Sequence, residues 1–462
     1  MATRPITDAD PTNAERRTVA RPSRPAILAR RVRDPARGIT AVLLAASVAL
    51  VWFHEVGPSM YEYPPAKPFS GNRWYNPYEP VDGSRWLRAC LHAHSEAWGG
   101  FTDGDAPVRA VWEAYRNLGT DVVGISNYQS IRPRFEDEEL YFSVYEHGFG
   151  IGQHHFTVLG AAAVSWFDFP LYKRLRHKQA VIDHLRARCE FLVINHPAKN
   201  GAFAGEDLAF LSGYDAVEIA TGSCRPDTRG RRGERPVEPE RKAAGPELWD
   251  TALSSGHAVW GMCGDDSHAL ADPHDLGRGW VAIDVGSSTS PPTEADVLES
   301  LRAGRFYGAW TRRDQQFTTR VESVVLHEPL LRVALTEPVT EIRFIGQGGQ
   351  LLHQASATQT AEYTVRPDDT YVRVEAVIVD AFGNEGVTLF LNPLYRYEND
   401  PRLAATATKR PVSTWVARGV WTVLAGISLA LTWRWHRTRV PRHGPASYSE
   451  SGHRDQRERP SP

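Results

Sequence analysis

The sequence predicts an α/β domain followed by a small β-sandwich, with an apolar membrane-spanning helix at each end. Three patterns lead there. From Trp86 short apolar runs alternate with helical patterns, and after Arg320 a strict two-residue alternation replaces them. Apolar stretches with arginine-rich flanks stand at 39–53 and 419–433. A chain of 462 residues suits one large domain plus a smaller one. Its net charge of −2 offers no basic field for gripping nucleic acid, so no such partner is expected.

Residues 1–38 and 434–462 lack apolar periodicity and read as disordered tails. Both apolar runs fall short of the roughly 20 residues a bilayer requires, so each recruits neighbours, giving spans at 39–56 and 412–433. A cleaved signal peptide is the alternative for the first, and a buried core helix for the second. Arg30, Arg31, Arg33 and Arg37 precede the first span, and Arg434, Arg437, Arg439 and Arg442 follow the second. That bias predicts cytoplasmic termini and an extracytoplasmic middle, 57–407, on the cell membrane. Residues 57–85, dense in Pro, Tyr and Trp, form an irregular connector, and 398–411 a linker.

Within the predicted α/β domain, 86–318, apolar runs at 87–93, 122–126, 142–145, 156–159, 191–194, 216–219 and 258–262 read as strands. Val108, Val111, Trp112, Tyr115 and Leu118 mark one face of a helix that begins at Pro107 and stops at Gly119. A second helix runs from Thr293, an N-cap, to Ala303, before Gly304. The segment 225–247, rich in arginine, reads either as a lid that recruits phosphate or as a solvated insertion. In 319–397, Val372, Val374, Ala376 and Ile378 alternate with Tyr371, Arg373 and Glu375, the pattern of the expected sandwich. Cys90, Cys189, Cys224 and Cys263 form no CxxC pair, so a zinc ribbon or thioredoxin-type motif is not expected; disulfides stay open.

The chemistry-bearing residues sit where apolar strands end. His92 and His94 are two apart, and the period of a strand points both imidazoles to one side. Tyr145-Glu146-His147, Asn195-His196-Pro197 and Asp265-Asp266-Ser267-His268 interrupt other strands in the same way. Charges at buried strand ends are costly unless paired or metal-bound, and α/β barrels build their sites at such ends. Strand alternation lets only one of Glu146 and His147, and one of His154 and His155, face a shared centre.

The order of these motifs resembles the PHP (polymerase and histidinol phosphatase) superfamily of metal-dependent hydrolases, over about 87–308. The resemblance implies a distorted (β/α)7 barrel. It adds Asp103 and His155 to the ligands and pairs His92, His94, Glu146 and Asp266 on one divalent ion, with Glu146, His155 and His196 on a second. Zn, Mn or Fe fits such mixed donors. A third ion would use Asp103 and His268, but the family's Thr-Asp-His is here Ser126-Asn127-Tyr128, which leaves that site incomplete. Tyr128 is either a substrate contact or a half-buried tyrosine. The implied activity is hydrolysis of a small-molecule ester by a metal-activated water, with a phosphoesterase or phosphatase first. Hydrolysis of carboxylic esters, amides or carbamates is the alternative, as is a non-catalytic membrane-tethered binding module.

Overall fold

The computed structural model describes residues 35–222, 245–272, 276–287, 290–311, 317–379, 385–401 and 405–437. They hold seven α-helices and several sheets, a mixed α/β architecture. The chain divides into two compact units, 1–49 with 425–462, and 50–424. The first contains the outer parts of two apolar helices, Pro35–Val56 and Pro411–Arg437, each long and apolar enough to cross a membrane. Both exceed the runs read from sequence because flanking residues extend the helix, as a bilayer's thickness demands. Within this unit the Arg37 guanidinium lies 5.6 Å from the Trp435 ring centroid.

The larger unit is organised by two sheets. In the first, Trp260–Cys263, Ala216–Ala220, Phe191–Ile194, Phe156–Leu159 and Val144–His147 pair in that order. Only Phe156–Leu159 runs against its neighbours. The second sheet has ten strands and includes Trp86–Cys90, Val122–Val123, Gly279–Asp284 and Phe306–Thr311. Each predicted strand thus exists within a few residues of its expected bounds, and both predicted helices form. Val108–Asn117 buries Val111, Trp112 and Tyr115. Glu294–Ala303 is capped by Thr293, whose hydroxyl accepts from the Asp296 amide, and closes at Gly304 with φ of 75°.

Two expectations are corrected. Among the described residues no closed barrel forms: the strands divide between the two sheets, bridged by the isolated pairs Ala93↔Ser267 and Tyr128↔Glu146. The strands that would complete the ladder end early, because the residues beyond them turn inward as site residues. The region 319–397 is also no separate sandwich. Its strand Glu385–Tyr397 pairs directly with Phe306–Thr311, so one sheet crosses the expected boundary. Leu330–Gly346 changes partner along its length, pairing first with Val321–His327 and then with Tyr371–Val379. Val324, Leu331, Val333, Phe344, Val374 and Leu389 fill the core beside it.

A buried polar network also joins the two regions. Arg373 donates to both carboxylate oxygens of Asp250, in helix Gly245–Ser254, at 2.7 Å each, and to Glu375 at 2.6 Å. Tyr371 donates to Asp250 as well, at 2.9 Å. Removing one partner from such a network leaves an uncompensated buried charge. The substitution Asp250→Ala is therefore expected to cost about 3–5 kcal/mol of stability, read as a lower chemical-denaturation midpoint.

Candidate metal centre

The reversed strand explains how the site assembles. His92 and His94 follow Trp86–Cys90, Glu146 lies in Val144–His147, His196 follows Phe191–Ile194, and Asp266 and His268 follow Trp260–Cys263. His155 precedes its strand, but Phe156–Leu159 runs antiparallel, so its beginning lies beside its neighbours' ends. All of these residues but His268 are buried. His196 and Asp266 hold left-handed backbone, with φ of 27° and 52°. Such conformations persist only where the surroundings enforce them.

Glu146 is the shared member of two groups. Ligand atoms of His92, His94, Glu146 and Asp266 lie within 4.8 Å of one another, as do those of Glu146, His155 and His196. Glu146 Oε1 is 3.1 Å from His155 Nδ1, 3.2 Å from His196 Nε2 and 3.3 Å from His92 Nε2, while Oε2 is 3.3 Å from His94 Nε2. Asp266 Oδ1 lies 3.3 Å from His92 Nε2 and 3.5 Å from His94 Nε2. These are the two donor sets that the resemblance implied.

The donors suit a cation. The buried His92 Nε2 and Glu146 Oε2 make no hydrogen bond among the described residues, and buried polar atoms seldom go without one. Burial alone would raise Glu146, yet the imidazoles of His155 and His92 hold it well below the ordinary carboxylate range. Burial likewise opposes charge on His92, but Glu218, Glu146 and Asp266 carry it well above the usual imidazole value. For His94, the nearby carboxylates of Asp266 and Glu146 overcome burial and raise it to about 9. A cluster that draws in protons this strongly also attracts metal ions, which compete with protons for the same lone pairs.

Around the donors stand residues that aim them. Glu218 Oε1 is 2.8 Å from His92 Nδ1, and its Oε2 accepts from the His196 amide at 2.9 Å. Position 264 must be glycine to admit it, since a Cβ there would stand 2.5 Å from Glu218 Oε1. Asn195 donates to Glu146 Oε1 at 2.9 Å and accepts from the Thr157 amide. Asp265 accepts from Tyr115 and from the amides of Gly277, Arg278 and Gly279, which anchors the turn that carries Asp266. Lys199 donates to Asp266 Oδ2 at 2.8 Å. Glu218 went unread in the sequence; its signal was a lone carboxylate within Ala216–Ala220, an otherwise apolar strand.

The remaining predicted residues divide. Tyr128 reaches the centre, its hydroxyl 3.3 Å from His155 Nδ1 and its ring 5.0 Å from that of His94. His268 stacks on His94 at 4.4 Å and lies 3.2 Å from Asp266, but it joins neither donor group. Asp103 pairs through its backbone with Glu96, and its side chain lies outside the described residues, as do Cys224 and 225–244 of the expected lid. Cys90, Cys189 and Cys263 are free thiols. His147 and His154, the neighbours that alternation set against Glu146 and His155, join neither donor group, and burial lowers them to about 4 and about 3.

No protein-family model, curated protein or solved structure matches the chain.

Two outcomes follow from this geometry. Glu218→Gln removes the carboxylate that orients His92 and is expected to weaken metal affinity about 10–100-fold, measured by titration against a competing chelator. The folded-state pKa values of His147 and His154 lie below the ordinary 6.5. Their neutral rings therefore favour the fold above pH 6.5, and that contribution is lost as pH falls towards 4. The melting temperature of metal-free protein should decline across that window, less steeply in His147→Gln.

Proposed function

We propose that this chain is a membrane-tethered, metal-dependent hydrolase of the PHP type that acts on phosphate esters. The observation that carries this reading is Glu146, a buried carboxylate common to two separate donor groups. Such sharing is the arrangement of paired-ion hydrolytic sites. His92, His94, Glu146 and Asp266 would hold one ion, and Glu146, His155 and His196 the other. Ions bound there, Zn, Mn or Fe by donor type, supply Lewis acidity and bring a water's pKa near neutrality.

The chain's own side chains then set the substrate. The Lys199 ammonium is partly exposed beside Asp266 and offers positive charge to an anionic phosphoryl oxygen. That favours a phosphate ester over a neutral carboxylic ester, amide or carbamate. The half-buried Tyr128 carries its hydroxyl 3.3 Å from His155 Nδ1, where it can donate to a substrate oxygen. Two spans with cytoplasmic ends would set this centre outside the cytoplasm.

Full-length protein loaded with Mn or Zn is expected to hydrolyse p-nitrophenyl phosphate and to lose that activity on chelation. Asp266→Asn should lower kcat at least about 100-fold. Stoichiometric metal without turnover of any phosphate or carboxylic ester would instead leave a binding module. Protease added to intact cells should cut within 57–407; cleavage confined to the tails would reverse the topology.

A further inference from the structure

Six large apolar side chains stand in solvent on segments next to the strands that carry the candidate metal centre. Trp98 and Phe101 lie between the strands Glu96–Ala97 and Thr102–Asp103, Phe149 and Ile151 follow Val144–His147, and Trp166 and Tyr172 precede helix Leu175–Arg186. Their exposure runs from 47% at Phe149 to 92% at Phe101. Several touch one another: the Trp98 and Trp166 rings lie 5.8 Å apart, and those of Phe149 and Trp166 6.3 Å apart. The group also adjoins the site. Trp98 donates to the Tyr128 carbonyl at 2.9 Å, and Tyr128 packs on His94 and His155.

The segment that carries four of the six in this collar is almost free of charge. In a chain that is 23% charged, residues 148–172 contain one Asp, Glu, Lys or Arg, Asp168, which is buried and bonded to Lys173. An exposed apolar group of this kind marks a surface meant to be covered. Its continuity with the first apolar helix indicates by what. Phe169 packs on Phe53 at 5.8 Å, and the Tyr172 carbonyl lies 3.1 Å from His54 Nε2, both in the last turn of Pro35–Val56. Gly57, just past that helix, lacks a Cβ that would otherwise stand 2.7 Å from the Phe169 ring. Residues fastened to the point where a span ends lie at the depth of the lipid headgroups, where Trp and Tyr are enriched.

We propose that the collar rests in the membrane surface and that the metal centre hydrolyses the phosphate ester of a membrane lipid, whose acyl chains stay among the collar's side chains. This deepens the hydrolase reading and rests on it. In the reaction, water's oxygen bonds to phosphorus, the bond from phosphorus to the leaving alkoxy oxygen breaks, and the alkoxide takes a proton from that water. Lys199, beside Asp266, would meet the phosphate; the aromatic rim would meet the acyl chains, which the soluble partners lack.

The test uses full-length, metal-loaded protein reconstituted in phosphatidylcholine vesicles and matched substrate pairs. These are phosphatidic acid against glycerol 3-phosphate, and phosphatidylinositol against glycerophosphoinositol. The lipid of at least one pair should be favoured in kcat/KM by about tenfold or more, which corresponds to ~1.4 kcal/mol. Phe101→Ser and Trp166→Ser should remove that preference while leaving hydrolysis of the soluble partner unchanged. Equal turnover within both pairs would overturn the lipid assignment and leave the hydrolase reading standing, whereas no turnover of any phosphate ester would remove both. A second measurement is independent of activity. The fluorescence of Trp166, taken as wild type minus Trp166→Phe, should be quenched by lipids brominated near the headgroup. Quenching by aqueous iodide alone would overturn the seating of the collar in the membrane.

Discussion

Two carboxylates, Glu146 and Asp266, are fully buried against four imidazoles, and much of the larger unit is arranged around the cost of placing them there. Withdrawing an ionised carboxylate from water costs several kcal/mol even after relaxation. Repayment comes from opposite charge and well-aimed donors, supplied here by Asn195 and Lys199 directly and by Glu218 through His92. The left-handed backbone at His196 and Asp266 belongs to the same balance, since it turns both side chains inward at strand ends. A divalent cation would complete it by meeting lone pairs that the protein leaves aimed at one another.

This constraint also shapes the sheets. Continuous pairing around a barrel would occupy the backbone with ladders at the places where the chain instead diverts into ligand-bearing turns. The first sheet therefore ends at Val144–His147, and isolated bridges, Glu146 to Tyr128 at that edge and Ser267 to Ala93 at the other, reach across to the second. Reversal of the strand Phe156–Leu159 brings His155 to the side where the other strands end, so a candidate donor preceding its strand meets candidates that follow theirs. Farther out, Arg373 and Asp250 bind the C-terminal strands to a helix of the same unit, which makes the β-rich region part of the body that carries the site.

Much of the site was legible because its residues break a pattern. His92, Glu146, His196 and Asp266 are polar residues at the ends of apolar runs, and the cost of burying them is visible in one dimension. His155 and the sharing of Glu146 came from the resemblance, and the structure brings those same residues together. What stayed hidden depends on three dimensions. Glu218 faces inward from the middle of a strand, and its partners are 126 and 22 residues away in sequence. The sheet's passage across residue 319 was invisible for a related reason: alternation reveals which face of a strand is buried, but not which strand lies beside it. The exposed collar looked like ordinary loop sequence until Trp98 and Trp166, far apart in the chain, met in space.

Two ions sharing one carboxylate are the heart of the proposed centre, and electron paramagnetic resonance of the manganese-loaded, full-length protein tests that sharing most directly. Two Mn(II) ions bridged through Glu146 are predicted to give the broadened spectrum of an exchange-coupled pair, which Glu146→Gln should abolish. A spectrum of isolated Mn(II) alone, unchanged by that substitution, would contradict the shared-carboxylate centre.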